Sequence, residues 1–174
     1  MTSLRLISTT ACLWMLLISG TALAQEAVSA TVTLRDAEGK DVTTLTLSDA
    51  GNGVLVTGTL SEVAPGPHAI HFHAVGKCEP PFETAGGHFN PTGKQHGIMN
   101  EAGHHAGDMP NIVMPEEGQG VIQILAAGVT LAVNAENSLR DGDGTAIVIH
   151  AGPDDYKTDP SGDSGDRIAC GVID

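Results

Sequence analysis

The sequence predicts an all-β domain: an antiparallel sandwich or flattened barrel of about eight short strands. Three observations carry this. Short runs of small and β-branched residues alternate with a period of two, as half-buried strands do. Turn signals separate these runs, and glycine is abundant at 22 residues. Aromatic residues make up 3% of the chain, so the core must be built from Val, Ile, Leu and Ala, and no segment shows the apolar spacing of a long helix.

In chain order, residues 1–24 fall outside that domain. A charged start through Arg5, an apolar run from Ala11 to Ile18 and the small-residue pattern Ala22-Leu23-Ala24 are expected to form a secretory signal peptide cleaved after Ala24. The apolar run is too short to cross a bilayer comfortably, and polar Gln25-Glu26 follows at once. The expected organisation is a leader, 1–24, and one domain, 25–174, with no membrane contact once the leader is removed.

Within the domain, Ala27 to Leu34 alternates, with Val28, Ala30, Val32 and Leu34 on one side. Asp36-Ala37-Glu38-Gly39-Lys40 reads as a turn. Val42 to Leu47 alternates again, and Asn52-Gly53 marks a tight turn before Val54 to Leu60. Pro65-Gly66-Pro67 breaks the pattern, and Ala69 to His73 reads as a fourth strand. Residues 74–120 carry no long periodic stretch, and a loop of that length inside a compact domain is usually functional. Strand-like runs return at Val121–Leu125, Thr130–Val133, Thr145–His150 and Ile168–Ile173.

Removing Arg5 with the leader leaves seven Lys and Arg against 21 Asp and Glu, a net charge near −14. Such a surface disfavours nucleic acid and anionic membranes as partners. Cys12 also leaves, so Cys78 and Cys170 remain, and two cysteines in an exported chain read as one disulfide. In the chain-entropy model a bridge closing so long a loop is worth roughly 4–5 kcal/mol.

Chemistry concentrates in the histidines. Six of the eight lie between residues 71 and 105. His71 and His73 are two apart on a strand, so both point to one face and make a rigid metal clip. The loop adds His88 and His96, each beside glycine, and His105 with Asp108. His150 ends a later strand. Imidazole suits copper and zinc, and zinc also accepts a carboxylate. Asp141-Gly142-Asp143-Gly144 looks like the start of a calcium loop, but Gly152 stands where its twelfth-position acid should be.

These residues resemble the copper/zinc superoxide dismutases, especially the exported bacterial ones. The resemblance covers nearly the whole domain. It rests on His71-Phe72-His73, Gly86-Gly87-His88-Phe89-Asn90-Pro91, Gly93-Lys94 ahead of His96-Gly97, His105-Ala106-Gly107-Asp108, Ile149-His150-Ala151-Gly152 and the tail Arg167-Ile168-Ala169-Cys170-Gly171-Val172-Ile173. It implies a Greek-key barrel with long metal-binding loops. It implies one copper on His71, His73, His88 and His150, and one zinc on His88, His96, His105 and Asp108, with His88 bridging. Asp154 matches a carboxylate linking the two sites, Arg167 matches the arginine that binds the substrate anion, and Cys78–Cys170 matches the family disulfide. His68 and His104 match no ligand and are expected at the solvated surface.

The implied reaction converts superoxide to O2 and hydrogen peroxide through Cu(II)/Cu(I) cycling, with zinc organising the site and His88 carrying a proton to the product. The implied setting is the periplasm, and a homodimer is compatible with the family. An acidic chain must attract its anion locally, so Arg167 is expected to be the final positive charge, with Lys94 and Lys157 either at the rim or simply solvated; the segment between His150 and Arg167 is short and rich in acids. A copper-storage domain and a structural zinc protein are the competing readings, and the presence of all four copper positions together with Arg167 favours the enzyme.

Overall fold

The computed structural model describes residues 28–174, so the expected leader lies outside the described residues. The first three strands form a meander: β1 (Ser29–Arg35), β2 (Asp41–Asp49) and β3 (Gly53–Leu60). The turn at 36–40 and the Asn52-Gly53 turn close its two hairpins, as the sequence predicts. Their register sets Val32 opposite Leu45 and Leu47 opposite Val56. All four side chains are buried, whereas Thr44 and Thr46, which alternate with Leu45 and Leu47 on β2, are exposed. This period-two burial anchors the register, because a one-residue slip would turn the apolar set to solvent.

Next come β4 (Gly66–His68), β5 (Ile70–His73), β6 (Ile112–Met114), β7 (Gly120–Ala127), β8 (Thr145–His150) and β9 (Arg167–Ile173). The order β5-β8-β9-β1-β2-β3-β7 makes a seven-stranded antiparallel sheet, and β4 with β6 makes a second, two-stranded one. Because β6 also packs beside β7, the two sheets enclose one core as a flattened Greek-key barrel.

Strand β8 is buried at every residue. Ile147 and Ile149 face the main core. Ala146 and Val148 face a smaller cluster with Phe82, Ala85 and Cys170. The loop that follows β5 therefore covers the outer face of β8. The disulfide between Cys78 and Cys170 fastens it there, across a Cα separation of 5.6 Å.

Three segments differ from the expectation. Thr130–Val133 is not a strand: Asp49 pins it by accepting from the Thr130 hydroxyl at 2.6 Å and the Leu131 amide at 3.1 Å, and only Leu131 enters the core. Strand β4 forms across the Pro65-Gly66-Pro67 break, because Pro67 sits opposite Val113 on a short edge strand where a missing N–H costs little. Strand β6 lies inside the long expected loop; at three residues it is too short to show a period.

Candidate metal centre

Strand β5 is an edge strand of the large sheet, and the histidine-rich loop adds to that edge. The Phe72 amide donates to Gly107 O at 3.0 Å, and the Phe89 amide donates to Phe72 O at 2.8 Å. Phe72 turns into the core, so its neighbours His71 and His73 turn the other way, toward the loop. Backbone bridges His71–Asp108 and His73–His88 fix the loop against them. Glycine is required at position 107, where a Cβ would collide with the Phe72 carbonyl. From the far end of the chain, β8 pairs with β5 and delivers His150 to the same place.

Two sets of four side chains result: His71, His73, His88 and His150, and His88, His96, His105 and Asp108. Within each set, one ligand atom per residue lies within 4.8 Å of the others. All seven residues are buried. Every predicted metal ligand is thus brought into one of the sets, and His88 belongs to both.

Hydrogen-bond partners decide which ring nitrogens are available. His73 Nδ1 donates to Gly86 O at 2.9 Å, and His71 Nε2 donates to Asp154 Oδ2 at 2.9 Å. That leaves His71 Nδ1 and the Nε2 atoms of His73, His88 and His150 buried without a hydrogen-bond partner. Each such orphan costs about 1–3 kcal/mol unless a cation occupies the space between them. Desolvation holds His73 near 2, His150 near 3 and His71 near 4, with a smaller repulsion from a neighbouring ring in each case. All three are therefore neutral lone-pair donors at pH 7.

In the second set, Asp108 Oδ1 faces the Nδ1 atoms of His88, His96 and His105 at 2.8, 3.0 and 3.3 Å. A tetrahedral ion with bonds of about 2.0–2.1 Å separates its ligands by about 3.3 Å, so this spacing suits zinc closely. Asp108 Oδ2 accepts from the Gly97 and His105 amides at 2.9 and 3.0 Å, which orients the carboxylate. Burial opposes its charge, but the hydrogen bonds from His88 and His96 outweigh that and hold Asp108 far below the usual carboxylate range. Burial likewise opposes charge on His96, yet its bonds to Asp108 and Asp154 raise it to about 9.

Asp154 joins the two sets. Its Oδ2 accepts from His71 and its Oδ1 from His96 Nε2 at 3.0 Å. The Tyr156 amide, at 2.6 Å, also binds Oδ1. Asn111 clamps the Asp154 backbone: its Oδ1 accepts from the Asp154 amide at 2.8 Å and its Nδ2 donates to the Asp154 carbonyl at 2.9 Å. The Tyr156 hydroxyl in turn accepts from the Asn111 amide at 2.8 Å. Gly162 closes over this carboxylate at φ +67°, and any Cβ there would run into Asp154 and His96.

Asn111 and Tyr156 escape the sequence reading, because neither is a ligand type. His68 is a correction. It is buried, not solvated, with ring nitrogens 2.9 Å from the carbonyl oxygens of His150 and Ala64. Its place on β4, packed under the β8 terminus, decides this. His104 is exposed, as expected.

An open cavity of about 980 Å³ reaches His73, His88, His105, His150 and Arg167. The Arg167 guanidinium donates to Phe82 O at 2.7 Å and to Gly86 O at 2.8 Å, so its position is fixed while other N–H groups remain for a ligand. Lys94 and Lys157 are exposed but do not line this cavity. Asp36, Glu38, Glu83 and Asp166 do. The rim is acidic, and Glu83 stands 3.9 Å from Arg167.

A family model described as copper/zinc superoxide dismutase matches residues 29–173. The chain is 48% identical over 142 residues to superoxide dismutase [Cu-Zn] 2 of Aquifex aeolicus, covering 80% of this chain and 83% of that one. It is 41% identical over 148 residues to superoxide dismutase [Cu-Zn] of Caulobacter vibrioides, covering 83% and 85%. Among solved structures, a superoxide dismutase-like protein from Bacillus subtilis superposes with a TM-score of 0.79 at 37% identity, covering 83% of this chain and 97% of that chain.

Proposed function

Because this chain belongs to the copper/zinc superoxide dismutase family of oxidoreductases, to which bacterial relatives also belong, we propose that it holds one copper and one zinc and disproportionates superoxide outside the cytoplasm. Copper is assigned to His71, His73, His88 and His150, and zinc to His88, His96, His105 and Asp108. The observation that carries this reading is His88. Its Nδ1 faces the nitrogen and carboxylate set that suits zinc, while its buried Nε2 faces three other orphan histidine nitrogens. Only cations on both sides make that placement favourable.

Copper held there would supply one-electron redox chemistry toward superoxide, and zinc would be redox-inert. The chain does the rest. Arg167 binds the anion with the N–H groups that Phe82 and Gly86 do not occupy. His88 Nε2 would be the proton carrier, giving one proton to the peroxide as a general acid while solvent supplies the second. Asp154 orients His71 and His96 through their far ring nitrogens, which fixes both tautomers. Neutral His71, His73 and His150 need no deprotonation before binding metal at pH 7.

The leader pattern at 1–24 and the disulfide, which persists in oxidising compartments, support a location in the periplasm. The test is metal analysis and a superoxide decay assay on the mature, metal-loaded protein, with His88→Ala beside it. One copper, one zinc and fast decay are expected, and His88→Ala should lose most of the activity. Zinc alone, with no decay after copper addition, would overturn the copper reading.

A further inference from the structure

We propose that Ser164 is a positioning and tuning residue for the copper ligand His150, an inference that rests on the copper assignment above. Ser164 is completely buried in the loop before β9, and its Oγ lies 3.1 Å from His150 Nδ1. The Gly165 carbonyl approaches the same nitrogen at 3.2 Å.

Donor and acceptor logic fixes the roles. His150 Nε2 is the buried nitrogen facing the copper set, so it must carry the lone pair. The proton then sits on Nδ1. Gly165 O can only accept, and with Nδ1 protonated the Ser164 Oγ must accept as well. The ring therefore donates one three-centred hydrogen bond to two oxygens. The backbone holds this arrangement from outside, because the Gly152 amide donates to Ser164 O at 2.9 Å and the Ala151 amide donates to Asp166 O at 2.8 Å. The loop cannot drift without pulling on the residues that follow His150.

Each acceptor on the far nitrogen pushes electron density toward the metal-binding one and fixes the ring plane. Ser164 thus makes His150 a stronger donor to Cu(II), the oxidation state that gains more from it, and lowers the reduction potential of the site. Partners of this kind change metal affinity by about ten- to hundredfold, and with Gly165 still in place the share of Ser164 is about three- to tenfold.

The experiment compares wild-type protein with Ser164→Ala, both zinc-loaded and then titrated with Cu(II). Alanine removes one oxygen and adds nothing, so the buried site accepts it. The readouts are Cu(II) affinity by chelator competition, reduction potential by poised optical titration, and zinc content with thermal midpoint. The expected result is weaker Cu(II) binding by about three- to tenfold, with zinc content and midpoint unchanged. A tenfold loss confined to Cu(II) raises a one-electron potential by about 59 mV. Wild-type Cu(II) affinity and potential in Ser164→Ala would overturn the inference. So would a parallel loss of copper and zinc, which marks general loosening. Wild-type protein that takes up no copper would overturn the copper reading itself, and this inference with it.

Discussion

Replacing Glu83 by Gln should speed catalysis. The Glu83 carboxylate stands 3.9 Å from the Arg167 guanidinium, and its side chain is 77% exposed. An anion hydrogen-bonded to the Nη2 of that guanidinium at about 3 Å lies no more than about 7 Å from the carboxylate. In a water-like dielectric the repulsion at that distance is about 0.6 kcal/mol, or about 2.7-fold in rate. At about 0.15 M salt the screening length is about 8 Å, which reduces the gain to about 1.5-fold. Arg167 should keep its place in the variant, because Phe82 O and Gly86 O hold it independently of Glu83. The assay is stopped-flow or pulse-radiolytic superoxide decay at two ionic strengths. Four acids line the cavity beside one arginine, so the wild-type rate should also rise with salt. A wild-type rate that falls with salt, with Glu83→Gln no faster, would refute the idea of an acidic mouth opposing its substrate.

Arg167→Ala should slow superoxide decay severalfold and weaken inhibition by small anions, whereas Arg167→Lys keeps the charge, loses the two-carbonyl anchor and should fall between; an unchanged rate with unchanged salt dependence would remove Arg167 from the mechanism. The metal-free protein should lose stability as pH falls below about 6.5. Desolvation holds His71, His73 and His150 below the unfolded value, to about 4, 2 and 3, so their stabilisation is complete above 6.5 and drains away toward those values. His96, raised to about 9, has the opposite sign: its contribution is complete below 6.5 and is lost as pH rises through 9. Between pH 7.5 and 5.5 the net loss is on the order of 3 kcal/mol, readable from urea midpoints, and a midpoint that rises toward pH 5.5 contradicts it. Replacing Cys78 and Cys170 by Ser should cost roughly 4–5 kcal/mol of unfolding free energy, and should reduce activity more than metal content, because the loop carrying both acceptors of Arg167 is then released.

Much of the site is legible in the sequence, because its ligands lie on short local patterns. His71 and His73 share a strand face, and Asp108 follows His105 by three residues. The four-histidine set also needs β8 beside β5, and the family resemblance supplies that pairing where periodicity alone does not. What escaped was set by tertiary context. Strand β4 hides under Pro65-Gly66-Pro67. Thr130–Val133 has strand composition, but an Asp49 side chain holds it in place of a ladder. His68 looked solvated because nothing local reveals that β4 runs beneath the end of β8. Asn111 and Ser164 meet Asp154 and His150 from 43 and 14 positions away in the chain. The charge of Lys94 and Lys157 does not say whether they reach the rim, because position along a loop does not say which way the loop faces.

The two sets of ligands are joined twice, through the ring of His88 and through the carboxylate of Asp154. One oxygen of Asp154 serves each side. With one ion in each set, as proposed, either ion would hold both bridges in the geometry that the other set needs. By thermodynamic reciprocity, the factor by which zinc strengthens copper binding is the factor by which copper strengthens zinc binding. Stripping either metal should then loosen the grip on the other, and Cu(II) affinity should be higher in zinc-loaded than in zinc-free protein.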